Sequence, residues 1–213
     1  MLIACWSVKG GSGTTVVAAA LALHLARTSG PVLLVDLAGE LPAALGLPEP
    51  HGPGAGEWLA SGDSPPDALD ELAVAVSDGL TLLHRGDLGG QPSGERLAAA
   101  FGARHTEVVA DCGILDQCPA AAAIAAGADH SLLVLRPCYL ALRRAVAAPI
   151  RPSGIVLVTE PERALTRQDV EDVLGVPVRA EVPWTPAIAR AVDAGLLAAR
   201  LPRLLERAIR VAA

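Results

Sequence analysis

The chain has 213 residues, of which 17 are basic and 23 acidic, and its formal net charge is −6. That balance excludes the broad basic footprint of a nucleic-acid-binding domain, and the length suits one α/β-sized domain, residues 1–213, that needs no disulfides or metal to hold its core. Hydrophobic residues make up 52%, but no run reaches the roughly 18–20 apolar residues of a membrane span.

Leu2 to Ser7 is a short apolar run, expected as a buried strand and not as a signal peptide, so a soluble, cytoplasmic protein is expected. Gly10, Gly11 and Gly13 follow, and then an Ala/Leu-rich helix from Thr15 to Ala26. Val32 to Val35 is a second apolar strand that ends at Asp36. The Pro/Gly-rich stretch from Gly39 to Gly54 reads as loop, with a helical turn at Leu41 to Leu45. Helices are expected at Glu57–Ala60 and Asp67–Val76, the latter announced by Pro65 and Pro66. Leu80–Leu83 is a strand, Glu95–Phe101 a helix, and Glu107–Ala110 a strand that ends at Asp111. Helix Ala120–Ala126, strand Ser131–Leu135, helix Leu140–Ala147 and strand Gly154–Val158 continue the alternation. Helix Thr166–Leu174, strand Val178–Val182 and helices Pro186–Ala194 and Pro202–Ala212 complete it. Strands alternating with helices imply an α/β fold, a doubly wound and mainly parallel sheet with ligands at the strands' carboxyl ends. Cys5, Cys112, Cys118 and Cys138 lack metal-ligand spacing and are expected as reduced, small core residues.

Of the 17 basic residues, only Lys9 is a lysine. It opens the segment Lys9-Gly10-Gly11-Ser12-Gly13-Thr14-Thr15, set between the first strand and the first helix. Such a loop points backbone N–H groups at a helix N-terminus, a ready site for phosphate. An ordinary phosphate loop has a lysine just before its Ser/Thr. Here that position is Thr14. A plain βα turn would also use glycines, but carboxylates at two later strand ends, Asp36 and Asp111, favour the phosphate reading.

The segment resembles the deviant Walker A loop of the MinD/ParA family, K-G-G-x-G-K-[ST]. Lys9, Gly10, Gly11, Gly13 and Thr15 match it and Thr14 departs. A small residue at that place, with Asp36-Leu37 and the passage Leu41 to Leu47, is similar to the CpaE-like branch associated with tight-adherence pili. The resemblance implies a P-loop NTPase fold that binds ATP and Mg²⁺. Lys9 would reach the phosphates of a nucleotide held by the other subunit of a homodimer, acting there in catalysis. Residues Gly10 to Thr15 would cradle phosphate, and Thr15 would place its hydroxyl on Mg²⁺. Asp36 matches the first aspartate of the family's D-x-D switch, near Mg²⁺ and the reacting phosphate. Ala38 replaces the second, which positions the attacking water, and Glu40 lies two residues on. Asp111 matches the aspartate that holds Mg²⁺ through water. Glu160 and Pro183, in Val158-Thr159-Glu160-Pro161 and Pro183-Trp184-Thr185, fall where the family contacts adenine. A carboxylate at Glu160 could accept from the adenine amino group or from the two donor positions of guanine; no N-K-x-D motif supports guanine, and ATP is what the resemblance implies.

Arg200, Arg203, Arg207 and Arg210 share one face of the last expected helix, with Leu201, Leu204, Leu205, Ala208 and Ala212 on the other. A basic amphipathic helix of this kind suits the inner face of an anionic membrane. The plainer arrangement puts the apolar face on the sheet. Four functions are compatible with these residues. The first is an ATP-bridged dimer that positions a pilus, secretion or division apparatus with weak or absent hydrolysis. The second is a pseudo-ATPase scaffold, and the third a ParA-like DNA partition ATPase. The fourth is a ligase relative of the same fold, whose substrate residues are not recognisable here.

Overall fold

Every residue of the first strand, β1 (Leu2–Ser7), is buried, which only the middle of a sheet covered on both faces allows. Leu2, Ala4 and Trp6 enter one core and Ile3 and Cys5 the other, because successive side chains leave a strand on opposite faces. The computed structural model describes residues 1–89, 93–210 and 212. After β1 the chain runs through α1 (Thr14–Thr28), β2 (Val32–Asp36), α2 (Leu41–Leu45), α3 (Ala55–Ala60) and α4 (Ala68–Glu71). Next come β3 (Val74–Ser77), β4 (Leu80–Leu83), α5 (Glu95–Gly102), β5 (Glu107–Ile114) and α6 (Pro119–Gly127). The remainder is β6 (His130–Leu135), α7 (Tyr139–Val146), β7 (Gly154–Thr159), α8 (Arg167–Leu174), β8 (Val178–Pro183), α9 (Pro186–Asp193) and α10 (Arg203–Ile209).

The strands form one sheet in the order β3-β4-β2-β5-β1-β6-β7-β8. All neighbours are parallel except β3 and β4. This is the expected doubly wound sheet. Residues of α1, α2, α9 and α10 fill one core, and residues of α3, α5, α6, α7 and α8 fill the other. Trp6, wholly buried in the second, donates its indole N–H to Ser131 Oγ at 2.9 Å, so its one polar atom is satisfied.

Two expectations need correction. The helix expected over Asp67–Val76 stops at Glu71, and Val74–Ser77 forms the antiparallel edge strand β3. The reason is local: Val74 and Val76 are β-branched, and Asp78-Gly79, with Gly79 at φ 72°, turns the chain back into β4. The C-terminal helix ends at Ile209, and Val211 lies outside the described residues. Leu205 and Ile209 are fully buried against α1 and β8, while Arg203, Arg207 and Arg210 are exposed. The apolar side that a membrane would need is therefore spent on the core, and Leu204 alone of the expected apolar face is mostly in water. No helix among the described residues is long and apolar enough to cross a membrane.

The turn after α2 and the end of α9 meet backbone to backbone. A Cβ on Gly46 would come within 1.9 Å of the Gly195 carbonyl oxygen, and Gly46 itself sits at φ 76°. Gly46→Ala should therefore destabilise the chain by about 2–4 kcal/mol. The drop would be read as a lower midpoint in thermal unfolding followed by circular dichroism, whereas Gly62→Ala, with nothing within 4 Å, should lose only the smaller cost of its own positive φ.

Candidate functional site

Strand order reverses at β1, which has β5 on one side and β6 on the other. The crevice outside the carboxyl ends of the strands at such a point is where doubly wound sheets receive ligands. Residues 8–13 fill its floor. Ser12 Oγ donates to the Lys9 carbonyl at 2.9 Å, and Ser7 Oγ lies 3.2 Å from that carbonyl and 3.1 Å from the carbonyl of Gly113. These contacts fold the loop on itself and tie it to the end of β5. Gly13, at φ 90°, takes the left-handed conformation that turns the loop into α1. Helix α1 starts with no side-chain cap and no acid in its first turn. Its first N–H groups and its dipole are thus left to an anion.

Lys9 is half-buried and its Nζ donates to the Gly10 carbonyl at 3.1 Å. Thr14 is buried at the head of α1. Thr15 lines a cavity of about 300 Å³ together with Gly10, Gly11, Ala38, Glu40 and Arg85. A second, more apolar cavity of about 220 Å³ touches Gly11, Ser12 and Gly13, and is walled by Val16, Val158, Val182, Pro183 and Ile188. Gly11 lines both cavities.

Asp36 and Asp111 are register partners on β2 and β5, and both are buried. They are satisfied very differently. The Asp36 carboxylate accepts N–H bonds from Ala38 at 3.0 Å, Gly39 at 2.6 Å and Leu41 at 3.1 Å. Burial pushes its pKa up, and these amides pull it back. Asp36 thus fixes the loop that carries Ala38 and Glu40, and most of its acceptor capacity is used there. Asp111 accepts the Gly113 N–H at 3.1 Å on Oδ1. Its Oδ2 is buried with no hydrogen-bond partner. Burial pushes the Asp111 carboxyl up to about 7, the Thr15 hydroxyl favours its charged form, and the charges of Asp36 and Glu40 oppose it.

The Glu160 carboxylate is held by Arg136, which follows β6 and lines the apolar cavity, and by Arg163. Arg136 also donates to the Gly11 carbonyl at 3.1 Å, which fixes that salt-bridged pair to the phosphate loop. The carboxylate that the apolar cavity does offer is Asp193, at the end of α9. Asp193, Arg85 and the placement of Glu40 were missed from sequence, because each belongs to a loop or helix end whose direction only the tertiary fold sets. The sequence signal that could have found Arg85 is its position, two residues past the end of a strand on the ligand edge of the sheet.

A family model described as the CobQ/CobB/MinD/ParA nucleotide binding domain matches residues 3–198. The chain belongs to this family. It is similar to a ParA family ATPase from Chlorobium tepidum TLS, with 21% identity over 98% of this chain and 96% of that one, at a TM-score of 0.78. It is also similar to the septum site-determining protein MinD of Pyrococcus horikoshii OT3, solved with Mg-ADP, with 22% identity over 99% and 93% of the two chains and a TM-score of 0.78. MinD of Aquifex aeolicus, solved in a complex with MinC, gives 20% identity over 99% and 93% and a TM-score of 0.75. No curated protein matches the chain in sequence.

The Pyrococcus horikoshii relative was solved with Mg-ADP, and Mg²⁺ takes oxygen donors. The unpartnered Oδ2 of Asp111, on a carboxylate that also feels the Thr15 hydroxyl, fits a hard cation bound directly or through water. Asp36, with three amides on its carboxylate, fits less well. Among the described residues no three His, Cys, Asp or Glu side chains gather as a ligand set, so the ion would complete its shell with water and phosphate. Carrying Asp111 costs the apo protein stability. Its folded pKa lies above the ordinary value of 3.8, so the cost is absent below about pH 4, grows as pH rises towards 7 and is complete above it. Asp111→Asn should therefore unfold at a higher temperature than wild type, by a margin that widens between pH 4 and 7 and then levels. A margin independent of pH in a thermal scan series would mean that the carboxylate is not the source.

Proposed function

We propose that the chain binds ATP with Mg²⁺, that the nucleotide bridges a homodimer, and that hydrolysis is slow or waits for a partner. The observation that carries this reading is that one residue of the glycine loop, Gly11, lines both cavities. An apolar slot suits a base, the uncapped start of α1 suits a chain of phosphates, and the polar cavity beyond Thr15 suits the terminal phosphate and its metal. A nucleotide laid across Gly11 would use all three. Bound Mg²⁺ would neutralise phosphate charge, while Thr15 and Asp111 orient it. Lys9, half-exposed, can turn towards a second subunit, as in the deviant Walker A loops it resembles.

Two features favour weak turnover. Thr14 provides no charge at the place of the usual lysine, and Ala38 no carboxylate at the place of the water-positioning aspartate. Removal of one such electrostatic contact costs about 3–4 kcal/mol in kcat in other enzymes, so losing both would leave binding with little chemistry. Glu40, in the cavity wall beside Ala38, is the carboxylate that can still orient water. Of the apparatus-positioning functions, the CpaE-like role in pilus or secretion machinery has the loop resemblance in its favour, and the MinC complex of the Aquifex relative favours a protein partner. A DNA-partition role has no support in a chain of net charge −6. A second reading, the pseudo-ATPase scaffold, is favoured by the burial of Thr14.

Calorimetric titration of ATP-Mg²⁺, with the mass in solution read alongside, separates the two. Binding with dimerisation is expected, and silence at millimolar ATP would leave the scaffold. Lys9→Ala should abolish the ATP-dependent dimer; a variant that still dimerises would remove Lys9 from the bridge. Ala38→Asp combined with Thr14→Lys should raise the steady-state phosphate release of wild type by about 100-fold, and an unchanged rate would show that neither position limits it.

A further inference from the structure

We propose that Arg85, on the segment after β4, supplies the phosphate-binding cation that position 14 of the loop does not. The proposal rests on the nucleotide reading above and assigns a residue to it. Strand β4 lies beside β2 in parallel register, so residues that follow it emerge at the same edge of the sheet as the phosphate loop. Arg85 is exposed and lines the 300 Å³ cavity shared with Gly10, Gly11 and Thr15. It crosses towards them over the switch loop: a Cβ on Gly39 would sit 3.8 Å from its Cδ and 4.0 Å from a guanidinium nitrogen.

Other arginines around the loop are already committed. Arg136 pairs with Glu160, Arg144 donates to the Val8 carbonyl at 3.4 Å, and Arg163 pairs with Glu160. The Arg85 side chain enters no hydrogen bond or ion pair among the described residues, while its backbone carbonyl accepts the Gly56 N–H at 2.9 Å. The nearby Glu57 carboxylate is taken by the N–H groups of Gly54 and Asp87, so it does not hold the guanidinium back. A planar guanidinium can meet two phosphate oxygens at once. It can also offset the charge of Glu40 in the same cavity while a triphosphate enters. In a chain with one lysine and 16 other basic residues, all arginine, the cation has moved from the helix start to the opposite wall.

The cavity lies on the Thr15 side of the loop, where the terminal phosphate would sit, so ATP should feel Arg85 more than ADP does. The test is calorimetric titration of ATP-Mg²⁺ and ADP-Mg²⁺ into wild type, Arg85→Ala, Arg85→Lys and Arg207→Ala, an exposed arginine on α10. Arg85→Ala is expected to weaken ATP by roughly 10- to 100-fold and ADP much less, Arg85→Lys to recover part, and Arg207→Ala to match wild type. Equal ATP affinity in Arg85→Ala and wild type would overturn the assignment and leave the nucleotide reading standing. Equal losses for ATP and ADP together with a lower thermal midpoint would overturn it too, by showing a structural role. Wild type that binds neither nucleotide would remove the site reading itself, and Arg85's role with it.

Discussion

Two carboxylates stand opposite each other in adjacent parallel strands, Asp36 on β2 and Asp111 on β5, both out of water. Buried like charges raise each other's pKa unless something answers them, and the rest of the site is organised by how each is answered. Asp36 is answered by the chain itself, through three amides of the loop that follows it. Asp111 is answered only in part, by one amide and the Thr15 hydroxyl. An apo fold that leaves a fully buried carboxylate oxygen unpartnered gives up stability that a better-paired residue would keep. That sacrifice makes sense where a cation is due.

The same arrangement explains why the loop from Ala38 to Leu41 has a defined shape in a stretch rich in glycine and proline. Its amides converge on Asp36, so Glu40 and the backbone under Arg85 are held relative to β2. The carboxylate that reads as a metal ligand in sequence serves chiefly as the hub of this loop. Position is therefore built into the wall of the cavity, while charge is withheld from the head of α1, where Thr14 is packed inside.

The fold was largely legible because its signals are local. Five-residue apolar runs, glycines at the βα turn and aspartates at strand ends need no tertiary information. The edge strand β3 was misread because Ala68 to Val76 carries apolar residues at both helical and alternating spacing, and only the Asp78-Gly79 turn decides between them. The phosphate loop, Asp36 and Asp111 were legible as a constellation, since strand ends on one edge must converge. The ion pair of Glu160 was not, because it depends on Arg136, which comes 24 residues earlier from a different strand. Arg85 and Asp193 carried no motif, and their meaning comes from which cavity they line.

A cation on the helix head and a cation on the opposite wall are not equivalent. A lysine at position 14 would be fixed by α1 and would meet phosphate as soon as the loop does. Arg85 hangs from the end of β4 on a flexible stem and lies over Gly39, so its reach depends on the switch loop beneath it. The phosphate contact then becomes coupled to the loop that Asp36 organises, and anything that shifts that loop alters how the terminal phosphate is held. A fixed lysine favours rapid chemistry through preorganisation. A cation that reaches phosphate across a loop pinned by Asp36 instead ties phosphate binding to the shape of that loop.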